Sequence, residues 1–160
     1  MIRLGLFGAG GRMGRQVQAA AADAFAGRLE LACAVDADTP PEVGFGGCDV
    51  VVDFSVAAAT DDLLRRLAGC DAALVTGTTG RDAAAEARVA AHAARAPLFT
   101  AANFSLGVAV LTALVEQAAR TLGPDFAAEV FEIHHGRKRD APSGTALQLG
   151  EAAARGRGLP

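Results

Sequence analysis

An apolar hexapeptide, Ile2–Phe7, runs straight into Gly8-Ala9-Gly10-Gly11-Arg12-Met13-Gly14, and a helical pattern then covers Gly11–Ala24. This junction of strand, glycine turn and helix constrains the fold more than any other stretch of the chain. Glycines permit a tight turn and place no Cβ between the backbone and an approaching group. The free N–H groups and dipole at the start of a helix favour an anion. A pyrophosphate suits both properties. The spacing is G-x-x-G-x-x-G, with Met13 where the commoner G-x-G-x-x-G would carry its last glycine. The alternative is a turn whose glycines serve only close helix–sheet packing.

The rest of the first hundred residues repeats the theme. Leu29–Val35, Val50–Phe54, Ala72–Thr76 and Pro97–Thr100 read as buried strands, with helical stretches at Val56–Leu67 and Arg81–Arg95. Between the second and third strands lies only a Pro/Gly loop, Ala37–Gly47, with no helical period. Strands alternating with helices predict βαβ units and an α/β fold, a doubly wound parallel sheet of the Rossmann-like kind. Such sheets bind ligands along the edge formed by the strand C-termini.

From Ser105 the pattern changes. A long apolar-striped helix ends near Gly123-Pro124, then an alternating segment, Phe126–Ile133, predicts a strand. A charged loop, His134–Pro142, leads to a helix from about Ser143. The expected division is therefore a dinucleotide-binding domain over residues 1–104, then a hinge helix and partial substrate-binding domain over 105–160. One strand and one helix are too little for a core. The second unit accordingly reads as a truncated α+β domain.

Composition narrows the function classes. The 160-residue chain carries a net charge of −3, so it lacks the basic excess that neutralises a nucleic-acid backbone. No apolar run reaches the ~20 residues of a membrane span, and the first strand has no charged leader before it. Three cysteines without C-x-x-C spacing read as thiols of a reducing cytoplasm. A cytoplasmic enzyme or binding module with a small-molecule ligand, and neither nucleic acid nor membrane as partner, is the expectation.

Candidate ligand contacts gather at the expected sheet edge. Asp36 ends the second strand about twenty residues after the glycine turn, where an acid accepts hydrogen bonds from an adenosine ribose. Ala37 follows it, so no adjacent cation holds a 2′-phosphate, although Arg12 offers one charge; NADH and NADPH both remain open. Gly77-Thr78-Thr79-Gly80 follows the fourth strand, and Ala101-Ala102-Asn103-Phe104-Ser105 follows the fifth. Each alone could be a helix cap. Together on one edge they describe a cofactor cleft.

The densest chemistry is Glu132-Ile133-His134-His135-Gly136-Arg137-Lys138-Arg139-Asp140-Ala141-Pro142-Ser143-Gly144-Thr145. Two histidines can exchange protons near neutral pH. Lys138 is the only lysine among 15 basic residues, and lysine, unlike arginine, can release its proton. A helix N-terminus at Pro142–Thr145 adds anion-binding N–H groups. The combination describes a site for an acidic small molecule that must be protonated, against the alternative of a basic surface loop. No metal site is expected, because no thiol or carboxylate stands at helical spacing beside the histidines. His92, alone on an alanine-rich helix, reads as solvated.

These segments resemble the 4-hydroxy-tetrahydrodipicolinate reductase (dihydrodipicolinate reductase) family of diaminopimelate and lysine biosynthesis. The resemblance rests on GAGGRMGR, VDFS, GTTG, AANFSLGV and EIHHGRKRDAPSGTAL, in that order. It implies NAD(P)H-dependent reduction of a cyclic diacid to tetrahydrodipicolinate. It implies cofactor contacts from Gly8, Ala9, Gly10, Gly11, Arg12, Met13 and Asp36, and at the nicotinamide end from Gly77, Thr78, Thr79, Ala101, Ala102, Asn103 and Phe104. His134 and Lys138 match the family's proton-transfer residues, while His135, Gly144 and Thr145 match its substrate contacts. Family members continue beyond residue 160 and form homotetramers through the segment that follows. The loop between Asp36 and Asp49 departs from the family in being short and without a helix. A truncated, non-catalytic NAD(H)-binding relative is the alternative reading, and another dehydrogenase of the same nucleotide fold is disfavoured by the HHGRKRDAPSGT block.

Overall fold

The computed structural model describes residues 1–134, 136 and 141–159, and the chain divides into two compact units, Met1–Ala101 and Ala102–Pro160. The first unit is built on five strands, β1 (Ile2–Phe7), β2 (Leu29–Val35), β3 (Val50–Asp53), β4 (Ala73–Thr76) and β5 (Leu98–Thr100). All pair in parallel, in the order β2-β1-β3-β4-β5. Three helices connect them: α1 (Arg12–Ala22), α2 (Thr60–Leu67) and α3 (Ala83–Ala90). Single 3₁₀ turns precede α2 at Ala57–Ala59 and follow α3 at Ala91–Ala94, so both helices are shorter than their periodicity predicts.

The register decides where chemistry can occur. Val35 pairs with Phe7, Phe7 with Asp53, Asp53 with Thr76 and Thr76 with Thr100. The last residues of all five strands thus form one row, and the turns after them emerge along a single edge. The strand order reverses between β1 and β3, which is where an open α/β sheet leaves a crevice.

The core of this unit comprises Phe7, Val35, Phe45, Val51, Leu63, Leu67, Leu74 and Val89. Burying each of the larger side chains contributes roughly 1.5–3 kcal/mol. Phe45 belongs to the short loop between β2 and β3, which forms no helix yet is packed. Its ring meets Phe7 edge-on at a centroid distance of 6.4 Å. Gly5 makes room for it, since a Cβ there would lie 2.7 Å from Phe45 Cδ1. The backbone of this loop is held by Arg66 of α2, whose side chain is 3% exposed. Its guanidinium donates to the carbonyls of Thr39 (2.9 Å), Pro40 (2.9 Å) and Val43 (2.6 Å) and to Asp62 (2.9 Å). One side chain thereby satisfies carbonyls that a helix would have paired internally. The three cysteines are free, and burial pushes the Cys33 and Cys48 thiols up, so both stay protonated.

His92 corrects an expectation. It is buried (6% exposed) and its Nε2 lies 2.9 Å from the Ala72 carbonyl, at the start of β4. Its neighbours are almost all alanine, so no apolar stripe marks the buried face in the sequence.

The second unit contains α4 (Leu106–Leu122) and α5 (Gly144–Gly156). They approach closely: a Cβ on Gly156 would lie 2.3 Å from the Glu116 carbonyl. Ser105 and Ser143 cap the two helices, accepting from Val108 N (3.4 Å) and Ala146 N (3.1 Å). Residues 126–133 are not a strand, contrary to the alternation read above. Alternation supplies two faces, but a strand also needs a hydrogen-bonded partner, and the described residues supply none. Phe126, Val130, Phe131 and Ile133 are consequently exposed.

Candidate functional site

Each unit carries a candidate site. In the first, the glycine turn is locked to the end of β2, with the Gly8 and Ala9 amides both donating to the Val35 carbonyl (2.9 and 3.0 Å). Gly8 has φ +83°, and a Cβ on Gly14 would lie 2.3 Å from the Gly8 carbonyl, so neither position accepts a side chain unstrained. Gly11 stands at the N-cap of α1, which has no side-chain cap and no acid in its first turn. Its amide end is therefore unopposed by any acid of its own, as an incoming phosphate requires.

Beside this turn lies a cavity of about 230 Å³, lined by residues that include Gly8, Gly11, Asp36, Ala37, Ser55 and Asp62. Ala9, Gly10, Arg12 and Met13 are not among its walls. Asp36 folds its carboxylate over the turn, accepting from Gly10 N and, at 2.8 Å, from Ala37 N. Thr39 holds it there, its Oγ1 accepting from Asp36 N at 2.8 Å. Burial pushes the Asp62 carboxyl up, but the hydrogen bonds and charges of Arg66 and Arg65 outweigh this and hold it below the ordinary carboxylate value.

At the ends of β3 and β4 sits a polar centre that sequence reading missed. The Asp53 and Arg81 side chains are both 0% exposed and pair at 2.7 Å. Asp53 also accepts from Thr76 Oγ1 (2.6 Å), Ser55 Oγ (2.6 Å) and Ser55 N (3.0 Å). The Thr78 side chain turns inward, its Oγ1 accepting from Ser55 N at 3.1 Å, whereas Thr79 is exposed. An acid closing the apolar run VVVDF, and an arginine directly after GTTG, were the available signals. Gly77 N donates to the Asp53 carbonyl (2.9 Å) and Ala101 N to that of Thr76 (3.2 Å), so the turns after β4 and β5 start from the same edge.

In the second unit, Glu132 organises the start of α5. Its carboxylate accepts from Ser143 N (2.9 Å) and from the Ser143 hydroxyl, and its Oε2 lies 3.5 Å from His134 Nδ1. The anion at this helix N-terminus is thus an internal one that also faces the histidine. Asn103 bridges two segments: its Nδ2 donates to Thr145 Oγ1 (3.0 Å), and its Oδ1 accepts from Ser105 N (2.8 Å). Ala102 approaches Gly144 closely, a Cβ there lying 3.1 Å from that of Ala102. Phe104 is exposed. Ala102, Asn103, His134, Gly144 and Thr145 therefore belong to this unit, while His135 and Lys138 lie outside the described residues. Among the described residues, no group of three or more His, Cys, Asp or Glu side chains could hold a metal. No helix among them is long and apolar enough to cross a membrane.

Comparison with known proteins agrees with this architecture. Residues 39–104 match the family model described as dihydrodipicolinate reductase, N-terminus, and residues 107–158 that described as dihydrodipicolinate reductase, C-terminus. The 4-hydroxy-tetrahydrodipicolinate reductase of Zymomonas mobilis subsp. mobilis is 41% identical over 165 residues, covering 98% of this chain. This chain spans 63% of that relative's length. The Stenotrophomonas maltophilia enzyme of the same name is 41% identical over 173 residues, covering 99% of this chain and 72% of the relative. Among solved structures, dipicolinate-bound dihydrodipicolinate reductase from Paenisporosarcina sp. shares the fold at a TM-score of 0.67. Its identity is 18%, over 98% of this chain and 67% of that one. On these matches the chain belongs to the 4-hydroxy-tetrahydrodipicolinate reductase (dihydrodipicolinate reductase) family.

Proposed function

We propose that this chain carries the nucleotide-binding unit and part of the substrate unit for NAD(P)H-dependent reduction of 4-hydroxy-tetrahydrodipicolinate to tetrahydrodipicolinate. The observation that carries the reading is the glycine turn, with Asp36 beside it and a 230 Å³ cavity at the point where the strand order reverses, in a chain of this family. The cradle fits a dinucleotide: Gly8 and Gly14 leave no room for side chains, and the uncapped start of α1 offers its amides to a pyrophosphate. Gly8 to Met13 take that role, and Asp36 takes the adenosine ribose. Gly77, Thr78 and Thr79, with Ala101 to Phe104, serve the nicotinamide end. When bound, the cofactor supplies a hydride.

The protein's own contribution lies in orientation and proton supply. Lys138 donates a proton to the substrate and His134 relays protons, with Glu132 orienting the imidazole through Nδ1. His135, Gly144 and Thr145 hold the substrate carboxylates, the amides of a helix start being suited to an anion. NADH is the cofactor the cavity suits, because Asp36 and Asp62 line it and, among the described residues, no lysine or arginine does. A 2′-phosphate there meets like charge. A homotetramer and a cytoplasmic location accord with the family reading.

The alternative, a binding module without turnover, draws on the exposed apolar residues of 126–133. Titrating NADH by its fluorescence, with and without pyridine-2,6-dicarboxylate, separates the two. The reductase reading expects the planar diacid to tighten NADH binding. Indifference to the diacid favours the module, and absence of NADH binding overturns both.

A further inference from the structure

The buried centre around Asp53 and Arg81 plays no part in the chemistry above, and its cost asks for a reason. Desolvating two charges is expensive, and well-packed apolar residues often replace a buried ion pair without loss of stability. Here the bonds the pair makes join the ends of β3 and β4, the turns that follow them and the start of α2. Arg81 follows the Gly77–Gly80 turn and folds back beneath it. Its Nη1 donates to the Thr78 carbonyl (3.1 Å), its Nε to Thr60 Oγ1 (3.0 Å), and its Nη2 to Asp53 (2.7 Å) and Thr76 Oγ1 (2.9 Å). Asp53, through its other oxygen, holds the Ser55 turn after β3. Ser55 N completes the loop by donating to Thr78 Oγ1 (3.1 Å).

We propose that Arg81 is a positioning residue for the nicotinamide end of the cofactor, holding the Gly77–Gly80 turn to the Ser55 turn through Asp53 and the Thr78 carbonyl. The inference rests on the reading that this unit takes a nicotinamide dinucleotide. It concerns the half of that ligand beyond the pyrophosphate. The adenosine half is served by Asp36 and the glycine turn, whose anchors, Val35 and Thr39, make no bond to Arg81; Ser55, which lines the same cavity, is bonded by Asp53 and not by Arg81 itself. A fork of donors is essential: lysine keeps the charge opposite Asp53 but cannot bond Asp53, Thr60 and the Thr78 carbonyl at once.

Calorimetric titration of Arg81→Lys and Arg81→Met with NADH and, separately, with ADP-ribose tests this. ADP-ribose lacks only the nicotinamide. Arg81→Lys is expected to weaken NADH at least 5-fold while ADP-ribose stays within 2-fold of the parent. Arg81→Met, where it folds, is expected to widen that gap, and the lysine variant carries the test where it does not. Equal losses for both ligands, or no loss for either in folded Arg81→Lys, overturn the positioning role. A parent chain that binds ADP-ribose but gains nothing from the nicotinamide overturns it too. A parent that binds neither ligand instead overturns the dinucleotide reading beneath it.

Discussion

Arg65 and Arg66 are adjacent and both bond Asp62, but they differ in burial and in loop contacts, Arg65 donating to the Pro41 carbonyl alone and Arg66 to three carbonyls. The Arg65 side chain is 48% exposed, so its ion pair is screened by water and its removal as Arg65→Ala is expected to cost less than about 1 kcal/mol. The Arg66 side chain is 3% exposed and donates three bonds to backbone carbonyls as well as one to Asp62. Arg66→Met keeps most of the apolar stem and removes all four. At a net value of about 1 kcal/mol per carbonyl bond, with Asp62 retaining Arg65, the loss comes to about 3–4 kcal/mol. Urea unfolding followed by circular dichroism reads this as a midpoint drop of about 1.5–2 M for a slope near 2 kcal/mol/M. Hydrogen exchange should localise the loosening to residues 37–47. The dependence on pH has a definite sign. The Asp62 carboxyl is held below its ordinary value of about 3.9, so the stabilisation is complete above that pH. It fades as pH falls from there through the lower folded value, and the gap between parent and Arg66→Met should narrow in that window. A penalty under about 1 kcal/mol for Arg66→Met, or one equal to that of Arg65→Ala, refutes the argument.

Three other expectations follow from the two sites. Gly14→Ala places a Cβ 2.3 Å from the Gly8 carbonyl, so the turn must shift by about 1 Å to reach ordinary contact, and NADH affinity should fall at least 10-fold in a titration. Ala37→Arg sets a cation beside Asp36 and should raise the ratio of NADPH to NADH affinity by 5-fold or more; an unchanged ratio tells against that cavity as the adenosine site. His134→Ala and Lys138→Ala should each depress turnover by about two orders of magnitude or more with NADH affinity nearly unchanged, whereas full activity in both removes the proton-transfer assignment.

What could be read from residue order was local. The strand, glycine turn and helix at residues 2–22 are contiguous, and each step follows from backbone sterics or from the dipole of a helix start. The alternation of short β runs with helices implied a parallel sheet with its turns on one edge, and the five strands pair in that way. The turn at 77–80 and the dense block from Glu132 to Thr145 were conspicuous for the same reason, since their chemistry sits in consecutive residues.

Tertiary packing settled what depends on residues far apart. Asp53 and Arg81 are 28 positions from one another, and they meet because Asp53 pairs with Thr76 across the sheet while the chain doubles back after Gly80. Phe45 enters the core because Gly5, on another element, leaves a gap of matching shape. Arg66 looks like any surface arginine until loop carbonyls 23 to 27 residues away converge on it. His92 is buried against the start of β4 although its own helix gives no sign of an inward face. The alternating segment 126–133 shows the converse: its pattern is legible, yet a strand exists only where a partner supplies the hydrogen bonds. Periodicity records what each residue prefers, whereas register and close packing determine which distant groups satisfy one another.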